Sequence, residues 1–467
     1  MSFNFMVYYL YYCPCIMSQK KAYIVAVDMG YGHQRAVHPL FDISRAPKGW
    51  DHDSAMIICA NKYPGIPEID FKRWNGSQGV YELISRMKRL PIVGDWIFGA
   101  MDYFQRIEVF YPKRDLSKPT IQLSQIYNMI KKGWGRHLID ELNRDPLPLI
   151  TSFFIPAFFA EEHGYKGEIY CLCTDTDVSR AWAPLHPQKS RITYLAPNKR
   201  VRERLKLYGV RPEKIFITGF PLPKENIGSP DTVKTLKTSL GCRIGNLDPH
   251  GRYQKKYQQM LQFYLGSPFC DLRAKHPFTI TFAVGGAGAQ REVGIEILQS
   301  LRTHIDAGAV RLNLVAGSRA DVFSFYEAEI KRLGLDHRHD QTVRIIYDED
   351  KFRYFQKFDE ALLTTDVLWT KPSELSFYAG LGLPIIIAPT IGSQEEYNKA
   401  WLHAIGAGFE QNDSRYTHEW LFDWLESGWL AEAAMSGFLH APRNGAYHIA
   451  DIVLNGKKSE IEDVHLL

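Results

Sequence analysis

The sequence predicts an α/β protein made of two halves, each built on a parallel sheet, and three observations carry that expectation. Short apolar runs recur between longer segments with helical spacing. AYIVAV, SAMIICA, EIYCLCT, RITYLAP and KIFITGF form one group; FTITFAV, RLNLVAG, VRIIY, DVLWT and PIIIAP form another. The runs are almost continuously apolar rather than alternating, which is how strands covered on both faces read. A Pro- and Gly-rich break, FPLPKENIGSP, separates the groups and continues through the polar stretch NLDPHGRYQKKYQQM, from Pro221 to His276.

The elements follow in order. Residues 1–20 are a leader or a mis-assigned start. Residues 21–222 make the first α/β domain, and 223–275 an interdomain connection carrying one or two helices. Residues 276–440 make the second α/β domain, and 441–467 a terminal helix and tail. Within the first domain, VRERLKLYG puts Val201, Leu205 and Tyr208 on one side of a helix that Gly209 ends. In the second, GIEILQSLRTHIDAG from Gly294 behaves likewise. No short-period repeat is present.

Composition narrows the class. The 467 residues suffice for two or three domains, and 45% hydrophobic with 23% charged is a globular balance. A formal charge of +4 without a basic stripe argues against a nucleic-acid partner. Seven scattered cysteines suggest a reducing compartment and hence the cytoplasm, not a disulfide framework. Cys171 and Cys173 share one face of a strand, and a CxC pair without a following His cluster is a poor zinc site.

Two segments fit the scheme poorly. MSFNFMVYYLYYCPCI is apolar and aromatic, but too short to span a bilayer and without the basic start of a signal peptide. It is either an interfacial anchor or upstream of a true start at Met17. Residues 70–145 contain RMKRLPIVGDWIFGAMDYFQRIEVFYPKR. That stretch is either a packed helical excursion or a surface that admits an apolar substrate or touches the inner membrane face peripherally. The end, KKSEIEDVHLL, reads as solvated.

Three loops follow strands, where parallel sheets place their sites. DMGYGHQRA follows AYIVAV. Gly30 and Gly32 permit a tight turn and close approach of a ligand, and a helix starting near His33 exposes amides that suit an anion. His33 is a candidate general base. The loop is not a dinucleotide fingerprint, because Arg35 occupies the third glycine position of GxGxxG. The second loop, FAVGGAGAQRE, offers Gly285, Gly286, Gly288 and Gln290 as a diphosphate cradle, without the GK[ST] of a triphosphatase. The third region, DVLWTKPSELSFYAGLGLPIIIAPTIGSQEEYNKAW, offers Glu374 for ribose hydroxyls, Gln394, Glu395 and Asn398 for sugar hydroxyls, and Lys371 as an electrostatic aid to the donor. Read blandly, Glu395 and Glu396 only favour a helix start.

Taken together, these residues resemble the glycosyltransferases that make monogalactosyl- or diglucosyl-diacylglycerol. More distantly they resemble the peptidoglycan lipid N-acetylglucosaminyltransferase. Gly30, Gly32, His33 and Ala36 match the family's GxGHxxxA. Asp175, Trp182, Gly209, Lys214, Thr218, Gly219 and Pro221 match a block that opens with Thr-Asp and closes in VTGxPV. Thr370, Lys371, Pro372, Gly382, Pro384, Gln394, Glu395 and Asn398 match TKPGG, GxP and GQExxN. The resemblance covers most of residues 21–225 and 276–410. It implies the GT-B fold, two Rossmann-like domains facing across a cleft. It also implies a nucleotide-sugar co-substrate, usually UDP-linked, on the second domain, and a lipid or other hydroxyl acceptor on the first, beside Gly30, Gly32, Asp175, Ser179 and Trp182. It implies no tightly bound cofactor and no metal.

The chain is a divergent member by three departures. Ser179, followed by Arg180, stands where the family has His. Phe377 stands where the family has the acid that grips ribose, with Glu374 three residues earlier. Ser393 stands where the family has Gly. The Asp175-Thr-Asp177 pattern is a metal-chelating DxD only in a different fold; here Asp175 caps a turn and Asp177 is simply exposed. The expected reaction is sugar transfer from a UDP-sugar to a hydroxyl. The alternatives are a UDP-sugar epimerase of the same fold and a non-catalytic nucleotide-sugar binder.

Overall fold

The computed structural model describes residues 20–51, 56–75, 107–270, 272–283, 288, 290–338, 341–390 and 392–456. The aromatic N-terminal stretch, residues 76–106 of the 70–145 excursion, Gly285, Gly286 and the last eleven residues lie outside them.

Two six-stranded sheets, all parallel, form the frame. The first comprises β1 (Tyr23–Ala26), β2 (Ile57–Cys59), β3 (Leu149–Thr151), β4 (Ile169–Leu172), β5 (Thr193–Ala196) and β6 (Ile215–Ile217), in the order β2-β1-β3-β4-β5-β6. The second comprises β7 (Phe278–Ala283), β8 (Val310–Gly317), β9 (Val343–Tyr347), β10 (Val367–Thr370), β11 (Ile385–Ile387) and β12 (Gly408–Glu410), in the order β12-β11-β10-β7-β8-β9. The chain reverses its direction of travel across the sheet between β1 and β3 in the first, and between β7 and β10 in the second. In open parallel sheets the crevice beyond the strand ends at such a switch point is where ligands bind.

Ten of these strands fall on the apolar runs of the sequence; β3 and β12 do not. Both are three residues long. β3 sits in PLPLITSFF, where two prolines and a short apolar run hide it, yet it is the strand that creates the first switch point.

Side chains on the first sheet alternate between two cores. Tyr23, Val25, Cys171, Cys173 and Tyr194 pack to one face with the helices Ile121–Lys131 and Phe154–Glu162. Ile24, Ile150, Leu172 and Leu195 pack to the other, and that core runs without a break into the second half through Phe220, Leu222, Ile227 and Leu240. Among the described residues, the connection 223–275 holds five helical segments rather than one or two. Its longest, Lys234–Leu247, buries Leu236, Leu240, Ile244 and Leu247 against the second domain. The C-terminal helix Gly445–Asn455 returns to the first domain, where His448 Nδ1 lies 2.9 Å from the Thr218 carbonyl. The helix Lys199–Leu207 and its buried Val201, Leu205 and Tyr208 follow the sequence pattern, with Gly209 at φ +86.

Candidate functional site

The loops beyond β1, β3, β4, β10 and β11 converge where the two sheets face each other. His33 lies in the helix Gly32–Val37, which starts one residue before the position the sequence suggested. Its Nδ1 is 2.9 Å from the carbonyl of Ser152, directly after β3, and the Ser152 hydroxyl donates back to the His33 carbonyl at 2.7 Å. A carbonyl oxygen can only accept, so in the neutral ring Nδ1 carries the proton and Nε2 keeps its lone pair. Burial pulls the imidazole down to about 4, against the opposing pull of the Ser152 hydrogen bond and of Glu374. His33 is therefore neutral near pH 7, and Nε2 has no hydrogen-bond partner among the described residues.

An aromatic wall stands beside it. The His33 ring lies 4.8 Å from that of Phe153, which contacts Phe154 at 4.4 Å and Trp182 at 6.3 Å. Trp182, expected on the acceptor side, props this wall from a buried position. Gly30 has φ +102, the tight turn the sequence required. Gly32 is needed for a different reason: a Cβ there would stand 3.0 Å from Glu374 Oε2.

Glu374 is buried, and its carboxylate meets Arg35 across the interface at 2.5 Å. Arg35 also donates to Tyr354 Oη at 2.5 Å and lies 4.8 Å above the Phe358 ring. Arg35 thus holds the two domains together at the position where a dinucleotide loop would have glycine. The Phe377 ring is stacked on Phe220, centroids 4.5 Å apart and 7° from parallel, so that position belongs to the interdomain core. Tyr31 reaches the other way; its hydroxyl accepts from the Ser318 amide at 2.8 Å and lies where a side chain at Gly317 would stand. Lys351 pairs with Asp28.

Asn398 forms a second clasp. Its Oδ1 accepts from the Thr176 amide (2.9 Å) and hydroxyl (2.8 Å), and its Nδ2 donates to Asp175 Oδ1 and the Pro372 carbonyl, both at 3.1 Å. An amide side chain has two donors and two acceptor sites, so its capacity is filled by protein groups. Burial, reinforced by Glu374 and Glu395, pushes Asp175 up to about 6, with Asn398 and Lys371 pulling the other way. Lys371 Nζ sits 2.5 Å from Glu395 Oε1, in the first turn of the helix Ser393–Ala404. Gln394 is half-buried in the same turn. Gly288 has φ +67, and Gln290 at φ +69 begins the helix Arg291–Ser300 while its Nε2 donates to the Pro389 carbonyl at 3.0 Å.

One expectation changes. Asp177 is buried rather than exposed and takes Arg204 in a two-pronged pair at 2.9 and 2.8 Å, which leaves Asp175 alone at the cleft. Ser179 is buried at the start of a short turn without capping it. Among the described residues, no three His, Cys, Asp or Glu side chains gather as metal ligands, and no helix is long and apolar enough to cross a membrane. Sequence reasoning missed Tyr31, Ser152, Phe153, Tyr354 and Lys351, and saw Arg35 only as a broken motif. The signal available for Phe153 and Phe154 was their place directly after an apolar run, in ITSFF.

Two parallel sheets whose strand-end loops face each other at their switch points define the GT-B fold, and the chain has it. The sequence matches no protein-family model and no curated protein. Among solved structures, it is similar to MnaA of S. aureus in a UDP complex, at 12% identity over 96% of this chain and 100% of that one, TM-score 0.46. It is similar to MurG of Acinetobacter baumannii at 13% identity over 93% and 99%, TM-score 0.44. It is also similar to a UDP-GlcNAc 2-epimerase of Neisseria meningitidis bound to UDP-GlcNAc, at 13% identity over 73% and 84%, TM-score 0.42.

Proposed function

We propose that the protein binds a UDP-linked sugar between its two sheets and transfers the sugar to an acceptor hydroxyl. The observation that supports this most is His33: an imidazole held neutral, oriented through Nδ1 and open at Nε2, at the switch point of one sheet and facing the strand-end loops of the other. In this reading Nε2 takes the acceptor proton as the hydroxyl oxygen attacks the anomeric carbon. The bond from that carbon to the diphosphate breaks, and the electron pair leaves with the phosphate. We assign the charge that grows there to amides at Gly288 and Gln290, with Lys371 as an electrostatic aid, a role the sequence also gives to Gly285 and Gly286. Gln394 and Glu395 orient the sugar. Phe153 and Phe154 offer an apolar flank to a lipid acceptor. Glu374 and Asn398 act in this arrangement as domain clasps, and we assign them to the donor only through the loops they hold.

A second reading has its own support. Glu374 and Glu395 both lie close enough to Asp175 to add to the effect of burial, which pushes it up to about 6. Several acid–base groups around one ligand suit an epimerase, which must move protons on the donor itself.

The test is a thermal-shift screen of UDP and UDP-sugars, followed by product analysis with diacylglycerol, with soluble acceptors and with none. Transfer predicts UDP release and a glycosylated product only when acceptor is present. Epimerisation predicts sugar interconversion without acceptor, and binding without either product would mark a non-catalytic binder. If no nucleotide sugar binds, the reading fails.

A further inference from the structure

One departure in the sequence is not used by the cleft. Arg180, beside the Ser179 that replaces the family histidine, is 6% exposed and spends its guanidinium on backbone carbonyls. It donates to Ser117 O from Nε and Nη2 (3.0 and 2.7 Å), to Ala183 O from Nη1 (2.6 Å) and to Pro184 O from Nη2 (3.1 Å). It therefore staples the segment before the helix Ile121–Lys131 to the segment after β4. A third segment is tied to both: the Leu116 amide donates to the Leu207 carbonyl at 2.9 Å, and Gln188 Nε2 to the Gly209 carbonyl at 2.7 Å.

The three segments frame a bay of about 770 Å³. Leu207 and Gly209 connect the helix after β5 to the start of β6, so the bay lies toward the end of the sheet where strands begin, away from the cleft. Lys113, Arg114, Lys118, Lys189, Lys206 and His186 line it against one carboxylate, Asp115, which is turned onto the Ser117 amide at 2.8 Å. Lys206 and Lys113 share Glu203 at 2.9 and 3.8 Å, and Arg114 holds Glu108 at 3.1 Å. Lys118, Lys189 and His186 have no acidic partner among the described residues.

We infer that this bay binds a phosphate-bearing anion, either a soluble phosphate ester or the headgroup of an anionic lipid. The volume is that of a small-ligand site. The unpaired positive charge comes from two different segments that a buried arginine holds together, and a fixed concavity with excess cationic charge concentrates anions. Helix-end complementarity does not account for it: Lys118 and Lys189 lie outside the helix Lys199–Leu207, whose last carbonyl is already taken by Leu116.

The experiment uses the full chain and the variant Lys118→Glu/Lys189→Glu, whose two side chains are exposed. Glycerol 3-phosphate is titrated calorimetrically in one arm. In the other, the protein is sedimented with phosphatidylcholine vesicles with and without phosphatidylglycerol. Binding by wild type in at least one arm is expected, weakened about tenfold or more in the variant at low salt, since each basic residue near an anionic surface contributes appreciably. Saturation in the first arm alone identifies a soluble ester, and in the second alone a headgroup. Arg180→Met tests the frame: it should weaken the same binding with both lysines intact. UDP binding is measured on the same variants and should not change, so failure here is separable from failure of the cleft reading. No saturable binding in either arm, or equal binding by wild type and the double variant, overturns the inference.

Discussion

Arg35 and Glu374 meet at 2.5 Å across the domain interface, with side chains 5% and 10% exposed. The pair has little water to fall back on. Burial is offset for the guanidinium by Tyr354, Glu374, Tyr378 and Asp359, which together hold it firmly charged. Removing one partner of such a pair strands the other, which typically costs about 3–5 kcal/mol, whereas replacing both by apolar groups costs far less. Glu374→Leu and Arg35→Met should each lower the urea midpoint sharply, and the double variant should be more stable than the sum of the two losses predicts. Additive losses would show that the two charges are not coupled.

His33 should separate chemistry from binding. His33→Ala removes the open Nε2 while leaving the loops at Lys371 and Gln394 untouched. Loss of a positioned base typically costs about 10²–10⁴ in turnover, and UDP affinity should stay nearly unchanged. Equal loss of both would assign His33 to phosphate contact or to local structure.

The same histidine and its neighbour on the next turn make stability depend on acid. Burial pulls both His33 and His38 from 6.5 to about 4, with Arg35 adding to the effect on His38. The unfolded chain then binds more protons than the folded one between those values. The stability they contribute is complete above about 6.5 and is lost as pH falls through about 4. Wild type should therefore lose urea resistance between pH 7 and pH 4, and His33→Gln/His38→Gln should lose less. An unchanged pH slope in the variant would place the acid sensitivity elsewhere. Asp359, which faces His38 at 3.7 Å, shifts upward and contributes with the opposite sign.

The sequence made the two sheets legible because long buried parallel strands are continuous apolar runs, and β7 and β8 are read directly from FTITFAV and RLNLVAG. It could not reveal β3. Three residues flanked by prolines carry little local signal, and their place between β1 and β4 is set by the covering of the first core. With β3 hidden, the switch point was hidden too, and His33 had to be argued from glycine spacing alone. Its partner Ser152 is 119 residues away, a contact no local pattern encodes. The motif residues Glu374 and Asn398 were visible, but their partners Arg35 and Thr176 lie on the other domain, so their use as clasps was not.

The Asn398 clasp yields a pH-dependent test of the interface. Its Nδ2 donates to Asp175 while its Oδ1 accepts from Thr176. Asn398→Ala leaves a buried amide and hydroxyl unpaired and should cost about 1–3 kcal/mol at any pH, since unmade buried hydrogen bonds carry the full desolvation penalty. Asn398→Asp keeps the acceptor for Thr176 but sets a carboxylate against Asp175. Asp175 is pushed up to about 6, so it is mostly protonated at pH 5 and mostly charged at pH 8. At pH 5 the pair can share a proton and the aspartate variant should approach wild type. At pH 8 two like charges face each other and its urea midpoint should drop below that of Asn398→Ala. If Asn398→Asp is equally destabilised at both values, Asp175 is not the group it opposes.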